Sequence, residues 1–185
     1  MLLSRTLLSV LAALGVTASA ALAQTMESTP APRPAKPNFA PFSFMVGTWS
    51  CSTKSARRPA AYHTTETWSM DPTGYWLVGK QKTDPMSWFP YASTGEDRIT
   101  YDPDTGRWVD VYQGDFGGYD LTSSKGWNGS SIVWHDLSFA GGKDVATQSD
   151  VTVTKVSPAK MTSTSTFTTA KGRSVGVTST CTKQH

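Results

Sequence analysis

Three acidic residues each alternate with a tryptophan in a strand-like segment. Glu66, Asp110 and Asp136 each lie two residues from a tryptophan in an alternating run. Because alternate residues of a strand share a face, each acid lies on the same face as its neighbouring ring. Paired acids could perform glycosidase-like hydrolysis, or one could bind a polar ligand group beside Arg98. If that face points outward, the acids are solvated or structurally paired, and we favour this interpretation over catalysis.

Histidines give little support for a metal site. His135 alternates with Val133 and Leu137, which makes it a candidate ligand contact, although we favour a hydrogen-bonded structural role. His63 and His135 have no third His, Cys or acid at metal-ligand spacing. We therefore predict no metal and no cofactor.

Other chemical motifs are also missing from the sequence. The segment 102–106 (Asp-Pro-Asp-Thr-Gly) superficially resembles a calcium loop but lacks the later ligands, so it predicts a tight turn. No Gly-x-Ser-x-Gly, Gly-x-Gly-x-x-Gly or phosphate-loop motif occurs. We predict that the protein is not an enzyme.

The first 38 residues carry export and linker signals. Arg5, the apolar run 7–16 and the small residues 18–23 predict a signal peptide over residues 1–23, cleaved after Ala23. The apolar run is shorter than the roughly 20 residues of a membrane span, so no span is expected after signal removal. Residues 24–38 contain four prolines and predict an extended or disordered linker. One domain then covers residues 39–185.

The charge balance excludes some partners. After signal removal the chain keeps 16 basic and 14 acidic residues, a small positive excess. Weak charge of mixed sign gives no electrostatic case for nucleic acid or for an acidic membrane surface. We predict a periplasmic or secreted protein whose oligomeric state the sequence does not specify.

The two cysteines, Cys51 and Cys181, suggest how the domain closes. In an oxidising compartment a lone pair favours a disulfide over a metal or redox site, with two free buried thiols as the alternative. A bond between them would make the first and last strands neighbours, and a sheet whose ends meet is a barrel. Antiparallel pairing would also bring Lys183 near Trp49, although a frayed terminal lysine is the interpretation that we favour.

The rest of the chain reads almost entirely as short strands. About ten Thr-, Val- and aromatic-rich segments alternate with turn signals, and no amphipathic helix is convincing. Phe42 and Phe44, around Pro41, fit a single helical turn that closes the barrel floor, and a hydrophobic lead-in strand is the alternative. The fold class is therefore all-β, an antiparallel up-and-down barrel with an N-terminal plug.

Aromatic residues define the expected ligand site. A wide sheet lined by large rings on one arc and small side chains on the other leaves a cavity, whereas a sandwich needs more aliphatics. The predicted lining residues are Trp68, Trp76, Trp108, Tyr112, Trp134 and His135. The proline-containing segment 84–91 carries Trp88, Phe89 and Tyr91, which form either a lid over the barrel mouth or a partner-binding patch.

Two short motifs resemble a known family. The segment 44–49 (Phe-Met-Val-Gly-Thr-Trp) resembles the opening Gly-x-Trp of lipocalin-like (calycin) barrels, and the segment 101–108 is similar to a hairpin of uncharacterised, often exported bacterial lipocalin-like proteins. The resemblance covers residues 39–183 and implies an up-and-down barrel that encloses a small apolar ligand. The chain departs from the pattern, because Arg173 is misplaced for packing on Trp49 and the late histidine, His185, is the terminal residue.

Two classes of function follow from the sequence. The first is an exported barrel that binds a small, mostly apolar molecule in its interior. The second is an interaction module with a filled barrel and an exposed aromatic loop. A hydrolase that uses Glu66, Asp110 or Asp136 is the third and least favoured.

Overall fold

The first strand shows how alternating residues build this domain. In the computed structural model, which describes residues 32–58, 60–140 and 145–184, Trp49, Cys51 and Thr53 are buried. Ser50 and Lys54, which alternate with them, are exposed. One face of the strand therefore points to the interior and the other to solvent, as the two-residue period of a strand requires.

Strands account for nearly all of the regular structure in the described residues. A 3-10 helix, Ala40–Met45, comes first and has a proline in its first turn. The strands are β1 (Gly47–Ser55), β2 (Tyr62–Met70), β3 (Leu77–Thr83), β4 (Ser93–Asp102), β5 (Arg107–Gly114), β6 (Tyr119–Ser124), β7 (Ser131–Ala140), β8 (Val145–Gln148), β9 (Val151–Ser157), β10 (Lys160–Thr169) and β11 (Ser174–Lys183).

Ten of these strands close into an antiparallel barrel. Each strand from β1 to β6 pairs with the next one in the chain, and β7 pairs with β9. The ring continues from β9 to β10 and β11, and β11 pairs with β1. The short β8 pairs with β10 beyond the end of β9. The predicted all-β, up-and-down barrel of about ten strands is confirmed.

The Thr- and Val-rich segment 147–156 is not one continuous strand, because β8 and β9 are separated by residues 149 and 150. Ser149 donates its backbone N–H to the Thr166 carbonyl at 2.7 Å, and its side-chain Oγ accepts the Thr166 N–H at 2.8 Å. A side-chain oxygen thus replaces a backbone carbonyl in the ladder, and the strand bends at this point.

The predicted disulfide closes the ring of strands. Cys51 and Cys181 are directly opposite each other in the β1–β11 ladder and are bonded, with Cα atoms 4.0 Å apart. The same register places Trp49 opposite Lys183. The bond joins residues 130 apart, so it links the two ends of the domain.

The helical plug and the last strand seal one end of the barrel. Trp49 is fully buried and donates its indole N–H to the Met45 carbonyl at 2.7 Å. Lys183 donates from its Nζ to the Phe44 carbonyl at 3.0 Å, and this ammonium lies 5.5 Å from the centre of the Trp49 ring. Lys183 is therefore not frayed, and our favoured interpretation of it was wrong. The face of the Trp49 indole adds a cation–π attraction to the hydrogen bond that Lys183 donates.

Part of the predicted domain layout falls outside the described residues. The signal peptide and the first residues of the linker lie there, whereas residues 32–39 are described and contain no helix or strand. Residues 35–185 form one compact unit. In the described part of the chain, no helix is long and apolar enough to cross a membrane.

Candidate ligand-binding cavity

A cavity of about 690 Å³ lies inside the barrel. Met45 of the plug lines it at the floor, Trp88 and Phe89 line it at the opposite end, and the disulfide cysteine Cys181 lines its wall. Its size falls in the range of about 300–1,000 Å³ that is typical of pockets for small molecules. The barrel is therefore hollow above a packed floor.

Glycines explain why large rings leave the interior open. A Cβ added at Gly79 would lie 2.6 Å from the Trp68 ring, and one added at Gly95 would lie 2.5 Å from the Tyr112 ring. Gly79 is the direct cross-strand partner of Trp68. Each ring therefore lies against the backbone of a neighbouring strand, in space that a side chain would fill, instead of projecting across the lumen.

Carboxyl groups from neighbouring strands follow the inner wall of the cavity. We call this set the carboxyl belt. Its members are Glu66 on β2, Asp97 on β4, Asp110 on β5 and Asp120 on β6, all of which line the cavity. Between Glu66 and Asp97, β3 contributes Gln81, which is paired with Glu66 in the ladder and donates a hydrogen bond to Asp97. The four carboxyls of the belt and Gln81 together contribute one polar side chain from each of the five consecutive strands β2 to β6.

Burial and mutual repulsion keep protons on this belt. Burial raises the pKa of Asp97 well above its usual value, and the nearby charge of Asp110 raises it further. Burial, followed by the charge of Asp120, raises the pKa of Asp110 to about 7. Burial also raises the pKa of Glu66. With a pKa of about 7, Asp110 is therefore partly protonated at neutral pH, and its charge acts on the protonation of Asp97.

Asp120 connects the belt to a further acid on β7. Burial, and then the charge of Asp136, raise the pKa of Asp120 to about 6. Asp120 therefore lies beside a second carboxyl, which belongs to the neighbouring strand β7.

Several belt oxygens have partners inside the protein, and others have none. The Trp68 indole N–H donates to Glu66 Oε2 at 3.1 Å, and the Gln148 amide donates to Asp120 Oδ2 at 3.0 Å. The Oδ1 atoms of Asp110, Asp120 and Asp136 are buried without a hydrogen-bond donor. Buried polar atoms are normally satisfied, so these three oxygens are an exception that needs an explanation.

The belt does not have the spacing of a metal site. Among the described residues, only Cys51, Glu66 and Cys181 bring three ligand-type atoms within 4.8 Å of one another. Both cysteine sulfurs are consumed by the disulfide. The remaining carboxyls are spread along the wall, which suits several separate hydrogen bonds better than one compact coordination sphere.

Five of the predicted ligand-binding residues line the cavity. These are Trp68, Tyr112, Trp134, Trp88 and Phe89. Of the predicted acids, Glu66 and Asp110 line it too, so the face shared by acids and rings points inward. Arg98 does not accompany them, because it points outward and pairs with Glu96 at 2.6 Å.

Four predicted residues do not line the cavity, namely His135, Trp108, Tyr91 and Trp76. His135 follows the inward-facing Trp134 and so points outward, where its Nδ1 lies 2.8 Å from Asp150. Trp108 is buried below the cavity, with its ring centre 4.6 Å from that of Phe42 in the plug. Tyr91 is 60% exposed at the mouth.

Trp76 lies outside the cavity because it belongs to the turn that precedes β3. The Asp71 carboxylate accepts the backbone N–H groups of Gly74, Tyr75 and Trp76, at 2.9 to 3.2 Å. These N–H groups are thereby withdrawn from a strand ladder, and β3 begins only at Leu77.

Sequence reasoning missed Asp97 and Asp120 as cavity residues. Each lies two residues before an inward-facing side chain, Ile99 and Thr122 respectively. Strand alternation was the available signal, but it was applied only to acids beside a tryptophan. Tyr62, at the start of β2, was missed for the same reason, whereas Phe116 lies on the loop between β5 and β6, where strand alternation gives no signal.

A cluster of aromatic rings surrounds the mouth, and we call it the aromatic rim. Phe89 contacts Tyr91 and Phe116 with ring centres 5.5 and 5.3 Å apart, and Trp88 contacts Tyr62 at 6.2 Å. The Arg58 guanidinium lies 3.9 Å from the centre of the Trp88 ring. Phe116 is 62% exposed and Trp88 is 37% exposed, which is unusual for such large rings.

Comparison with known proteins adds one distant likeness. No family model matches this chain, and no curated protein matches it. A crystal structure from Nostoc punctiforme PCC 73102, described as a protein of unknown function from the DUF3598 family, is similar with 16% identity and a TM-score of 0.37. The similarity covers 85% of this chain, which spans about half (53%) of that one. A likeness of this size carries no argument about function, so the cavity itself must provide it.

Proposed function

We propose that the barrel binds a small, mostly apolar organic molecule in its interior and that binding, without catalysis, is its function. The observation that carries this proposal is the cavity of about 690 Å³, kept open between a packed floor and an aromatic rim. A solid core would be more stable than a hollow one, because unfilled space forfeits packing energy. The open interior is therefore best explained by an occupant.

The lining supports an occupant that is mainly apolar. Trp68, Trp134, Ile99, Met161 and Val153 present rings and aliphatic groups to the cavity. Such surfaces contact a ligand body, while a few polar groups fix its orientation. The disulfide supports the further proposal that the protein works in an oxidising, extracytoplasmic compartment.

The test is direct binding of neutral apolar molecules. Native mass spectrometry of the purified protein should show a co-purifying ligand, and tryptophan fluorescence should respond saturably to at least one of a panel of alcohols, retinol and aromatic hydrocarbons. A variant with Trp134 changed to Phe should weaken that response, whereas Trp127→Phe, outside the cavity lining, should not. Absence of any ligand and of any saturable response would refute the proposal.

A second function, partner binding, is supported by the exposed rings of the aromatic rim. Tyr91, Phe116 and Trp88 form a contiguous exposed patch, of the kind that marks interaction sites. The pair of changes Trp88→Ser and Phe89→Ser separates the two functions. Loss of protein partners with unchanged small-molecule binding would favour the second, and the reverse would favour the first.

A further inference from the structure

We propose that the ligand of this cavity is an organic cation, a small amine whose ammonium group binds the carboxyl belt while the rings hold its apolar body. This inference rests on the proposed binding function and adds to it the chemical class of the ligand. It depends on the charge of the lining, on buried oxygens without donors, and on the spacing of the carboxyls.

The charge of the lining is one-sided. Five acidic side chains line the cavity, namely the four of the carboxyl belt and Asp115 near the mouth. No described lining residue is Lys, Arg or His. The whole chain has a formal net charge of +3, so the interior has the opposite sign from the rest of the protein. A cation is the ligand that complements such a surface, because a low-dielectric wall strengthens its attraction to carboxylates.

Unsatisfied oxygens point to a ligand that donates hydrogen bonds. Asp110 lines the cavity, and its buried Oδ1 has no donor. Asp120, the next member of the belt, has the same deficiency. An ammonium group brings three N–H donors and a positive charge, and hydrogen bonds between charged groups are stronger than neutral ones. Such a ligand would satisfy what the protein leaves unpaired.

Spacing separates an amine from a metal ion. The belt places no three of its oxygens within 4.8 Å of one another among the described residues, whereas a compact cation needs its ligands close together. The Trp68 and Tyr112 rings lie on the same wall as Glu66 and Asp110. Aromatic faces also attract ammonium groups, and they hold the apolar part of the same molecule.

Binding of a cation should be linked to proton release. The titratable groups that line the cavity with Asp110 are Glu66 and Tyr62 on β2, Asp97 on β4, Tyr112 on β5, Asp115 between β5 and β6, and Asp120 on β6. Each is a carboxyl or a phenol, and burial raises the pKa of Glu66, Tyr62, Asp97, Tyr112 and Asp120. A bound ammonium group favours the ionised carboxylates, so protons leave as it binds.

Matched ligands of different charge test the inference. The purified protein is titrated by calorimetry with hexylamine, hexanol and hexanoate, and with 2-phenylethylamine, 2-phenylethanol and 3-phenylpropanoate. We expect each amine to bind at least about tenfold more tightly than its alcohol, and each carboxylate to bind most weakly. Alcohols that bind as tightly as the amines would overturn the inference and leave the proposed function intact. If none of the six binds, the inference fails, and the neutral panel and the native mass spectrum decide the proposed function separately.

Variants and buffers give two independent measurements. Asp110→Asn should weaken amine binding about tenfold and alter alcohol binding less than about twofold, whereas Asp104→Asn, on an exposed turn, should change neither. Repeating the amine titration at pH 6.5 in buffers of different ionisation enthalpy should show release of about half a proton or more. This second measurement uses the unaltered protein, so it does not depend on the folding of any variant. Amine binding without proton release and unaffected by Asp110→Asn would contradict the role of the belt.

Discussion

The floor and the carboxyl belt occupy the same barrel but follow opposite physical rules. At the floor, Phe42 packs against Trp108, and Lys183 finds both a carbonyl and an aromatic face. At the belt, acids are buried beside other acids, and Asp110 has an oxygen without a donor. At the floor the Trp49 indole and the Lys183 ammonium each donate to a backbone carbonyl, whereas the Asp110 Oδ1 at the belt has no donor. The difference indicates that the floor provides stability and that the belt is retained at a cost in stability, which binding would offset.

The largest effect should come from removing the covalent link that holds the floor strands together. Changing Cys51 and Cys181 to Ala opens a loop of 130 residues, so we expect the free energy of unfolding to fall by up to about 5 kcal/mol. Denaturant unfolding with matched reducing controls measures it. A loss below about 1 kcal/mol would mean that the hydrogen-bonded β1–β11 ladder closes the barrel without the disulfide.

Truncating one ring at the floor and one at the rim sharpens the comparison. Phe42 is 1% exposed, so Phe42→Ala should cost about 3–5 kcal/mol in unfolding free energy. Phe116→Ala removes a ring that is largely in solvent and should cost less than about 1 kcal/mol. Equal losses in denaturant unfolding would refute the assignment of stability to the floor.

A substitution in the carboxyl belt should raise the free energy of unfolding, whereas a substitution at the floor lowers it. The pKa of Asp110 is about 7 in the folded protein against 3.8 for a free carboxyl, so the folded state binds a proton more tightly. Stability therefore falls as pH rises from about 4 to 7, and the full cost is present above pH 7. We expect Asp110→Asn to raise the unfolding free energy by about 2 kcal/mol at pH 8, less than the full pKa shift corresponds to, because the buried amide that replaces the carboxyl needs hydrogen-bond partners of its own.

At pH 3 the same substitution should have little effect, because the carboxyl is then mostly protonated in both states. Thermal unfolding of both proteins across this pH range measures the difference. Destabilisation by Asp110→Asn at pH 8 would contradict the view that the belt is costly.

The smallest effect concerns Lys183. Lys183→Met keeps the aliphatic contact with Trp49 but removes the ammonium group and its bond to the Phe44 carbonyl, and we expect a loss of about 1 kcal/mol. Lys160→Met, at an exposed position on the adjacent strand β10, should stay within about 0.5 kcal/mol. Chemical denaturation of both variants tests whether the cation matters at the floor.

Local pattern predicted the strands well and their ends less well. The alternation at Trp49 and Cys51 is a property of neighbouring residues, and the structure has it as expected. The start of β3 and the break before β9 depend on backbone N–H groups that donate to the Asp71 carboxylate and to the Ser149 Oγ. Such side chains compete with the ladder for backbone groups, and a pattern of apolar residues contains no record of that competition.

The amino-acid sequence by itself determined the all-β class and the pairing of Cys51 with Cys181, because the first follows from a two-residue period and the second from there being one possible partner. Only the tertiary structure decided that acids from separate strands meet along one wall and that the interior stays open. Those features depend on the register between strands distant in sequence, and on rings such as Trp68 lying over Gly79 rather than across the lumen. Register is a relation between segments, so no single segment encodes it.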